Sequence, residues 1–223
     1  MSTAALPPPR TLAELLERIG DVPLDRIRMQ PPPGTATPED ALRITESERP
    51  CELVDGVLVE KAMGHQEARL ALIIGKLLLE YLDKHDLGIV VGADGTTLFD
   101  EDLVRMPDVG FIPYSNIPPD ADPSTPIPEW IPALAIEVIS RGNTKREIER
   151  KLRDYFAADV KLVWCFYPQT RTVRVYTSTD QSSELTDADV LDGGPVLPGF
   201  TLEIGPLFDR AANIRGPNSP QSH

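Results

Sequence analysis

The fold is decided by four segments: MPDVGFIP (106–113), PALAIEVIS (132–140), TKREIERKLRDYF (144–156) and KLVWCFYP (161–168). The first two are apolar and carry one acid each, Asp108 and Glu137. A strand such as ALAIEVI is apolar on both faces, which is typical of a central strand covered on each side. An unpaired, ionised carboxylate is costly there. Each acid is therefore expected to meet a metal ion, a cation or its own proton.

Two carboxylates from neighbouring strands suit a hard cation. Mg²⁺ usually takes one or two protein carboxylates and keeps positions for water and substrate phosphate. Mn²⁺ accepts the same oxygen ligands. A buried ion pair would satisfy Asp108 and Glu137 equally well, so the residues alone leave both interpretations open.

A helix is predicted from Thr144 to about residue 158, and it brings further candidates. Its apolar residues form one stripe: Ile148, Leu152, Tyr155 and Phe156. Lys151 lies at the edge of this stripe, so its stem can follow the core while its ammonium reaches the end of the strand. Glu147 lies one turn earlier. The structural alternatives are a capping box of Thr144 with Glu147 and an i, i+4 ion pair of Glu147 with Lys151.

The order of these residues resembles the PD-(D/E)XK nuclease superfamily. More closely, residues 36–205 resemble the Uma-type restriction endonuclease family, in which the lysine comes from the following helix. The chain shares this departure, because Ile139 stands where the superfamily pattern has lysine and Lys151 lies on the helix. Glu147 stands where relatives usually carry Asp.

The resemblance implies an α/β fold with a restriction-endonuclease-like core, in which helices flank a mixed central β-sheet. It also implies a metal-dependent endodeoxyribonuclease that acts on DNA. Asp108 and Glu137 would hold Mg²⁺ or Mn²⁺, Lys151 would position or activate water, and Glu147 would complete the catalytic group. His65 would be an auxiliary residue at the start of a helix, where helix capping is the alternative.

The net charge of −13 argues against a nucleic-acid partner, because affinity for phosphate comes largely from cations. The distribution of charge weakens this objection. Residues 141–174 carry nine Lys or Arg against four acids, a local charge of +5. Lys145, Arg146 and Arg150 are therefore candidate contacts to a DNA backbone. The alternative is a solvated helix with internal ion pairs.

The chain is predicted to have three parts: a Pro-rich N-terminal extension with a short helix (1–35), a single nuclease-like domain (36–210) and a polar C-terminal tail (211–223). Thr11 and Gly20 mark the ends of the short helix. The dipeptide Asp55-Gly56 predicts a hairpin within 51–62, and a long helix should follow it over about 65–84.

Further strands are predicted at 87–94, 96–99, 103–113, 161–167, 171–177 and 200–204. A Pro-rich loop (116–132) and an acidic, solvated segment (184–192) lie between them.

Composition removes several classes of protein. The two cysteines have no C-x-x-C spacing, so a zinc site is not indicated. No apolar run has the length of a membrane span, and a reduced, cytoplasmic protein is expected. Cleavage of both DNA strands would favour a homodimer, although no segment identifies an interface. Two other functions stay open: a non-catalytic DNA- or protein-binding module with the nuclease fold, and a hydrolase of a small anionic substrate.

Overall fold

The computed structural model describes residues 9–62 and 64–214. The predictions for the first eight residues and for the polar tail beyond residue 214 lie outside the described residues. The helices are α1 (Leu12–Ile19), α2 (Pro38–Ser47), α3 (His65–His85), α4 (Lys145–Ala157) and α5 (Ile204–Ala212). The first six strands are β1 (Cys51–Val54), β2 (Val57–Glu60), β3 (Gly88–Gly92), β4 (Thr97–Asp100), β5 (Leu103–Arg105) and β6 (Val109–Pro113). The later strands are β7 (Leu134–Val138), β8 (Leu162–Tyr167), β9 (Thr172–Tyr176), β10 (Ser182–Leu185), β11 (Val190–Asp192) and β12 (Thr201–Glu203).

A six-stranded mixed sheet forms the centre, in the order β10-β9-β8-β7-β6-β3. Strands β7 and β8 are parallel, and the other neighbours are antiparallel. All five residues of β7 are buried, as its apolar sequence predicts. The predicted α/β fold with a mixed sheet and flanking helices is confirmed.

The alternation of side chains along β7 divides the core into two layers. Leu134, Ile136 and Val138 pack in the cluster that includes residues of α3 and α5. Ala135 faces the other way and packs with residues of α4. Glu137 lies on the same side as Ala135, because side chains two positions apart share a face of a strand. The acid in the central strand therefore points towards α4.

A second, four-stranded sheet has the order β2-β1-β5-β4. Its hairpin turns at Asp55 and Gly56, which both have positive φ, as expected for the predicted turn. Helix α1 packs its buried face on this sheet, and Thr11 and Gly20 cap its two ends. The predicted hairpin and the limits of the first helix are confirmed.

The strand predicted over 103–113 is in fact two strands in different sheets. Strand β5 pairs with β1 and β4, whereas β6 pairs with β3 and β7. The break falls at residues 106–108, where Pro107 has no N–H to offer a ladder. Asp108 consequently lies where the chain passes from one sheet to the other.

The C-terminal part holds more regular structure than the sequence suggested. The segment predicted as solvated and acidic contributes β11 and the end of β10, and residues of β10 are largely exposed. Helix α5 was not predicted at all. Its buried residues recur at helical spacing, at Ile204, Leu207, Phe208 and Ala211, but the short strand before it concealed this pattern. Among the described residues, no helix combines the length and apolar character needed to cross a membrane.

Candidate active site

Of the two predicted carboxylates, Glu137 lies in β7 and Asp108 directly precedes the neighbouring strand β6. Val109 of β6 pairs with Ile136 of β7, so Asp108 and Glu137 occupy the next positions along the two antiparallel strands. Residues at opposed positions have Cβ atoms about 4.5–5.5 Å apart and share a face. The backbone N–H of Val138 also donates to Asp108 Oδ2 at 2.8 Å. The fold therefore brings Asp108 and Glu137 together.

Lys61, which follows β2, holds the other oxygen of Asp108. Its ammonium donates to Asp108 Oδ1 at 3.1 Å, to the carbonyl of Met106 at 2.7 Å and to the carbonyl of Ala93 at 3.1 Å. These bonds use all three donors of the ammonium. Lys61 was not predicted, because Asp108 is 47 positions away along the chain and no local pattern links them.

Lys151 and Tyr155 of α4 hold Glu137. The Lys151 ammonium lies 2.9 Å from Glu137 Oε1 and 3.0 Å from Oε2. The hydroxyl of Tyr155 donates to Oε1. Residues four apart on a helix project from one face, so both side chains reach the same carboxylate. Lys151 thus lies next to the strand that its position in the apolar stripe predicted.

Glu52 of β1 is an acid of the site that the sequence did not single out. Its Oε1 lies 3.1 Å from the Lys151 ammonium and accepts from the Met106 N–H at 3.1 Å. Its Oε2 accepts from Arg105 at 2.8 Å. The signal was present, since Glu52 interrupts a short apolar strand, as Glu137 does, and all four residues of β1 are buried.

The ion pairs continue away from the carboxylates along α4. Arg105 also donates to Asp154, and Arg150 donates to Asp154 Oδ1 at 2.8 Å. Arg150 forms two parallel bonds with Asp55, of 2.8 and 2.9 Å. Its guanidinium therefore joins the helix to the hairpin turn, and its donors are directed into the protein.

The buried array is close to neutral. It contains the carboxylates Glu52, Asp55, Asp108, Glu137 and Asp154 and the cations Lys61, Arg105, Arg150 and Lys151, so five negative charges meet four positive ones. One negative charge remains. Such an array tolerates a further cation better than a further anion.

The protonation tendencies within the array differ. Burial raises the pKa of Glu137 and outweighs the effect of Lys151. Burial would also raise the pKa of Glu52, but Lys151, Arg105 and Lys61 lower it to about 2. Burial opposes the charge of Lys151, yet Glu137 and Glu52 raise its pKa. Lys151 and Glu52 are thus held as charged groups, and Glu137 is the carboxylate that gains a proton more easily.

His65 and Glu67 both lie in the first turn of α3, but in different surroundings. His65 is the first residue of the helix and is exposed. Glu67 is partly buried and lines a cavity together with Asp108. Glu67 therefore shares a cavity with Asp108, while the auxiliary role of His65 stays a prediction.

Glu147 lies at the other end of a separate ion pair. Its carboxylate accepts two bonds from Arg26, of 2.8 and 2.9 Å, and one from Asn143 at 3.1 Å. With Thr144 it forms the predicted capping box of α4. The structural alternative for Glu147 is therefore present, and its catalytic role stays a prediction.

The three predicted contacts to DNA differ in their exposure. Lys145 is almost fully exposed and lies 3.6 Å from Glu149. Arg146 pairs with Asp21 at 2.8 Å, and Arg150 is turned inwards as described above. Most of the positive charge of α4 is therefore matched by acids of the same chain.

Two cavities adjoin each other near Asp108. One, of about 360 Å³, runs between α3 and β3, is largely apolar and reaches Asp108. The other, of about 660 Å³, is polar and includes Lys61 and Arg141. Ala62 and Glu67 line both. Asp108 is therefore open to the apolar cavity, whereas the polar cavity reaches its partner Lys61.

The donor set is compatible with an oxygen-preferring metal. Within residues 9–62 and 64–214, no group of three or more His, Cys, Asp or Glu side chains is arranged to hold a metal ion. Asp108 and Glu137 supply two carboxylates, which is the number that Mg²⁺ commonly takes from a protein. Sulfur and imidazole ligands, which zinc prefers, are not part of this pair.

Comparison with known proteins agrees with this architecture. The sequence profile of the Uma2 family, described as "Putative restriction endonuclease", matches residues 38–205. A solved structure from Anabaena variabilis, described as "a putative nuclease belonging to DUF820", is similar in fold, with a TM-score of 0.69 and 17% identity. The alignment covers 78% of this chain and 98% of that chain. No match is found among curated proteins. Because the profile matches well over half of the chain, the resemblance predicted from the sequence is confirmed, and the chain belongs to the Uma2 restriction endonuclease family.

Proposed function

We propose that this protein is a metal-dependent endodeoxyribonuclease that hydrolyses phosphodiester bonds of DNA. Its family supports a nuclease function in general. The observation that carries the finer proposal is the position of Asp108, just before β6, beside Glu137 of β7, with Lys151 bonded to Glu137. Two carboxylates that would hold a metal ion, together with the cation Lys151, could stabilise the negative charge that develops on a phosphate during hydrolysis.

Asp108 and Glu137 would hold the metal, with Mg²⁺ as the first candidate and Mn²⁺ as the second. Bound Mg²⁺ supplies a positive charge for the phosphate oxygens and lowers the pKa of a coordinated water. The side chains of the protein prepare this position. Lys61 and the Val138 N–H fix the orientation of the Asp108 carboxylate, because each holds one of its oxygens.

Lys151 is best suited to position water and to neutralise charge. A lysine acts as a general base only when its pKa is lowered towards the working pH. Glu137 and Glu52 instead raise the pKa of Lys151, so it stays protonated. We therefore assign to Lys151 the role of positioning water and neutralising charge, and not that of a general base.

The first test compares DNA cleavage by the wild type, Asp108→Asn and Glu137→Gln in Mg²⁺, Mn²⁺ and EDTA. Loss of one metal-holding carboxylate should reduce the rate at least about a hundredfold, since metal-ion stabilisation is worth several kcal/mol. The matched control is Glu149→Gln, which removes a half-exposed carboxylate from the surface of α4. Thermal melting shows whether each variant is folded. Cleavage by folded Asp108→Asn and Glu137→Gln at the wild-type rate would rule out the proposal.

A non-catalytic binding module is the second candidate. It is favoured by the ion pairs themselves, since each of the two carboxylates already has a lysine partner. In that case calorimetry would detect no Mg²⁺ binding, and no DNA substrate would be cleaved by the wild type. Mg²⁺ binding that is lost in Asp108→Asn would argue against this candidate.

A further inference from the structure

A glycine lies in the middle of α3, at a position where the packing of the protein does not require one. Gly75 is helical, and glycine costs a helix interior roughly 1 kcal/mol relative to alanine. A Cβ built on Gly75 would meet a single neighbouring atom of the described residues within 4 Å, Val109 Cγ2 at 3.9 Å, which is an ordinary contact. A side chain is therefore missing here although the fold has room for it. The space that it would fill belongs to the cavity of about 360 Å³.

The chemistry of this apolar cavity defines what it can hold. Small and branched apolar side chains of α3 and β3 line it, including Ala71, Leu72 and Val90. Leu72 and Leu79 at its border are exposed to 74% and 51%. Strand β3 is at the edge of its sheet, so the outer backbone groups of β3 have no strand partner among the described residues. The cavity thus offers apolar walls, which suit the faces of a nucleobase, next to the open edge of β3.

The surroundings of the cavity favour an anionic ligand on one side. The cavity reaches Asp108, and Ala62 and Glu67 connect it to the polar cleft. Arg141 lines that cleft, is exposed, and has no ion-pair partner among the described residues. A ligand that extends from the apolar cavity into the cleft would pass Asp108 and meet the guanidinium of Arg141. A nucleotide in a strand has this arrangement, with an apolar, flat base and an anionic phosphate.

We propose that the apolar cavity between α3 and β3 receives an unstacked nucleobase of the substrate, while the adjoining phosphate lies in the polar cleft near Arg141. This inference rests on the proposed nuclease function and specifies its substrate class as single-stranded or locally unpaired DNA. The acidic surface supports the choice. With a net charge of −13 and most of the cations of α4 paired with acids of the same chain, the protein offers little positive surface to an intact double helix.

The test measures binding in EDTA, so that it does not depend on cleavage. The probe is a short single-stranded oligonucleotide containing 2-aminopurine, whose fluorescence reports the stacking of the base; a duplex of the same sequence is the comparison. The wild type should bind the single strand more tightly than the duplex and change the 2-aminopurine emission. Gly75→Leu fills the cavity and should weaken the binding about tenfold to a hundredfold, the range expected for one base contact.

Ala157→Leu is the matched control, because Ala157 is an exposed helical residue on α4 and lines neither cavity. It should bind as the wild type does. Leucine favours a helix more than glycine does, so Gly75→Leu should fold, and melting curves check this. Unchanged binding by folded Gly75→Leu, or equal affinity for duplex and single strand, would overturn the proposal.

The outcomes also separate this inference from the nuclease function. If Asp108→Asn abolishes cleavage while Gly75→Leu binds and cleaves as the wild type does, the nuclease function is supported and the binding of a base in the cavity is contradicted. If Gly75→Leu loses DNA binding while the wild type cleaves no DNA with any metal, the binding of a base in the cavity is supported and the nuclease function is contradicted.

Discussion

At the scale of single residues, the site is governed by the competition between burial and ion pairing. Glu52 and Glu137 are both buried in the same array, yet the balance differs. Three cations outweigh the effect of burial on Glu52, whereas burial dominates at Glu137. Two glutamates therefore differ in their tendency to bind a proton, because Glu52 has Arg105 as a further close cation, whereas Asp108 and Glu52 raise the pKa of Glu137.

This difference predicts a pH dependence of stability. The pKa of Glu52 is lowered to about 2 from an ordinary value of 4.5, so its contribution to stability is present above pH 4.5 and is lost as the pH falls towards 2. Its loss should cost on the order of 3 kcal/mol. Urea unfolding at a series of pH values should show a steeper fall in the free energy of unfolding for the wild type than for Glu52→Gln. Parallel curves for the two proteins would contradict the assigned ion pairs.

At the scale of elements, α4 serves two purposes with two faces. Its inner face brings Lys151 and Tyr155 to β7, and its N-terminus is fixed by Glu147 through the capping box and the bonds to Arg26. The orientation of Lys151 thus depends on how the first turn is anchored. An anchor from Arg26, which is 121 positions away, makes the N-terminal segment part of this arrangement.

The Arg26–Glu147 pair allows a test of the predicted role of Glu147. Arg26→Gln and Glu147→Gln break the same buried pair from its two sides, so each should lower the free energy of unfolding by about 3–5 kcal/mol. If Glu147 acts only through the pair, both variants should retain similar DNA cleavage per folded molecule. Cleavage lost in Glu147→Gln and kept in Arg26→Gln would instead establish Glu147 as a catalytic residue. Lys145→Gln, at an exposed position on the same turn, is the control and should change stability by less than about 0.5 kcal/mol.

At the scale of the whole molecule, most of the Lys and Arg side chains of α4 form ion pairs with acids of the same chain. The +5 segment predicted from the sequence exists, but Arg146, Arg150 and Lys151 are paired with acids from α1, the hairpin and β7 or their neighbouring turns. The exposed guanidinium of Arg141 lies instead at the polar cleft. Contacts to a phosphate backbone should therefore be few.

Few contacts imply a weak dependence of DNA binding on salt. For single-stranded DNA, the logarithm of the binding constant falls linearly with the logarithm of the salt concentration. Each phosphate contact adds about −0.7 to the slope of this line. Titrations between low and high salt should give a shallow slope for the wild type, and Arg141→Gln should reduce its magnitude by about 0.7. Lys145→Gln should leave it unchanged. If Lys145→Gln changed the salt slope more than Arg141→Gln did, the DNA contact would lie on α4, as the sequence predicted.

The sequence by itself determined most of the elements, though not α5, and the main candidate residues of this protein. Apolar periodicity, Thr11 and Thr144 as N-caps and the turn at Asp55 act over a few residues, so they could be interpreted without knowledge of the fold. The acid within an apolar strand pointed to Glu137 for the same reason, since its cost is local and demands a partner.

Only the tertiary structure decided which residues are the partners of the buried acids. Lys61 meets Asp108 and Arg26 meets Glu147 because the sheets and α4 bring distant segments together. Whether a side chain faces a metal position or forms an internal ion pair depends on distances across the fold. Local sequence patterns do not contain these distances. The division of residues 103–113 between two sheets has the same origin, since pairing with strands far away along the chain outweighs continuity of a single apolar run.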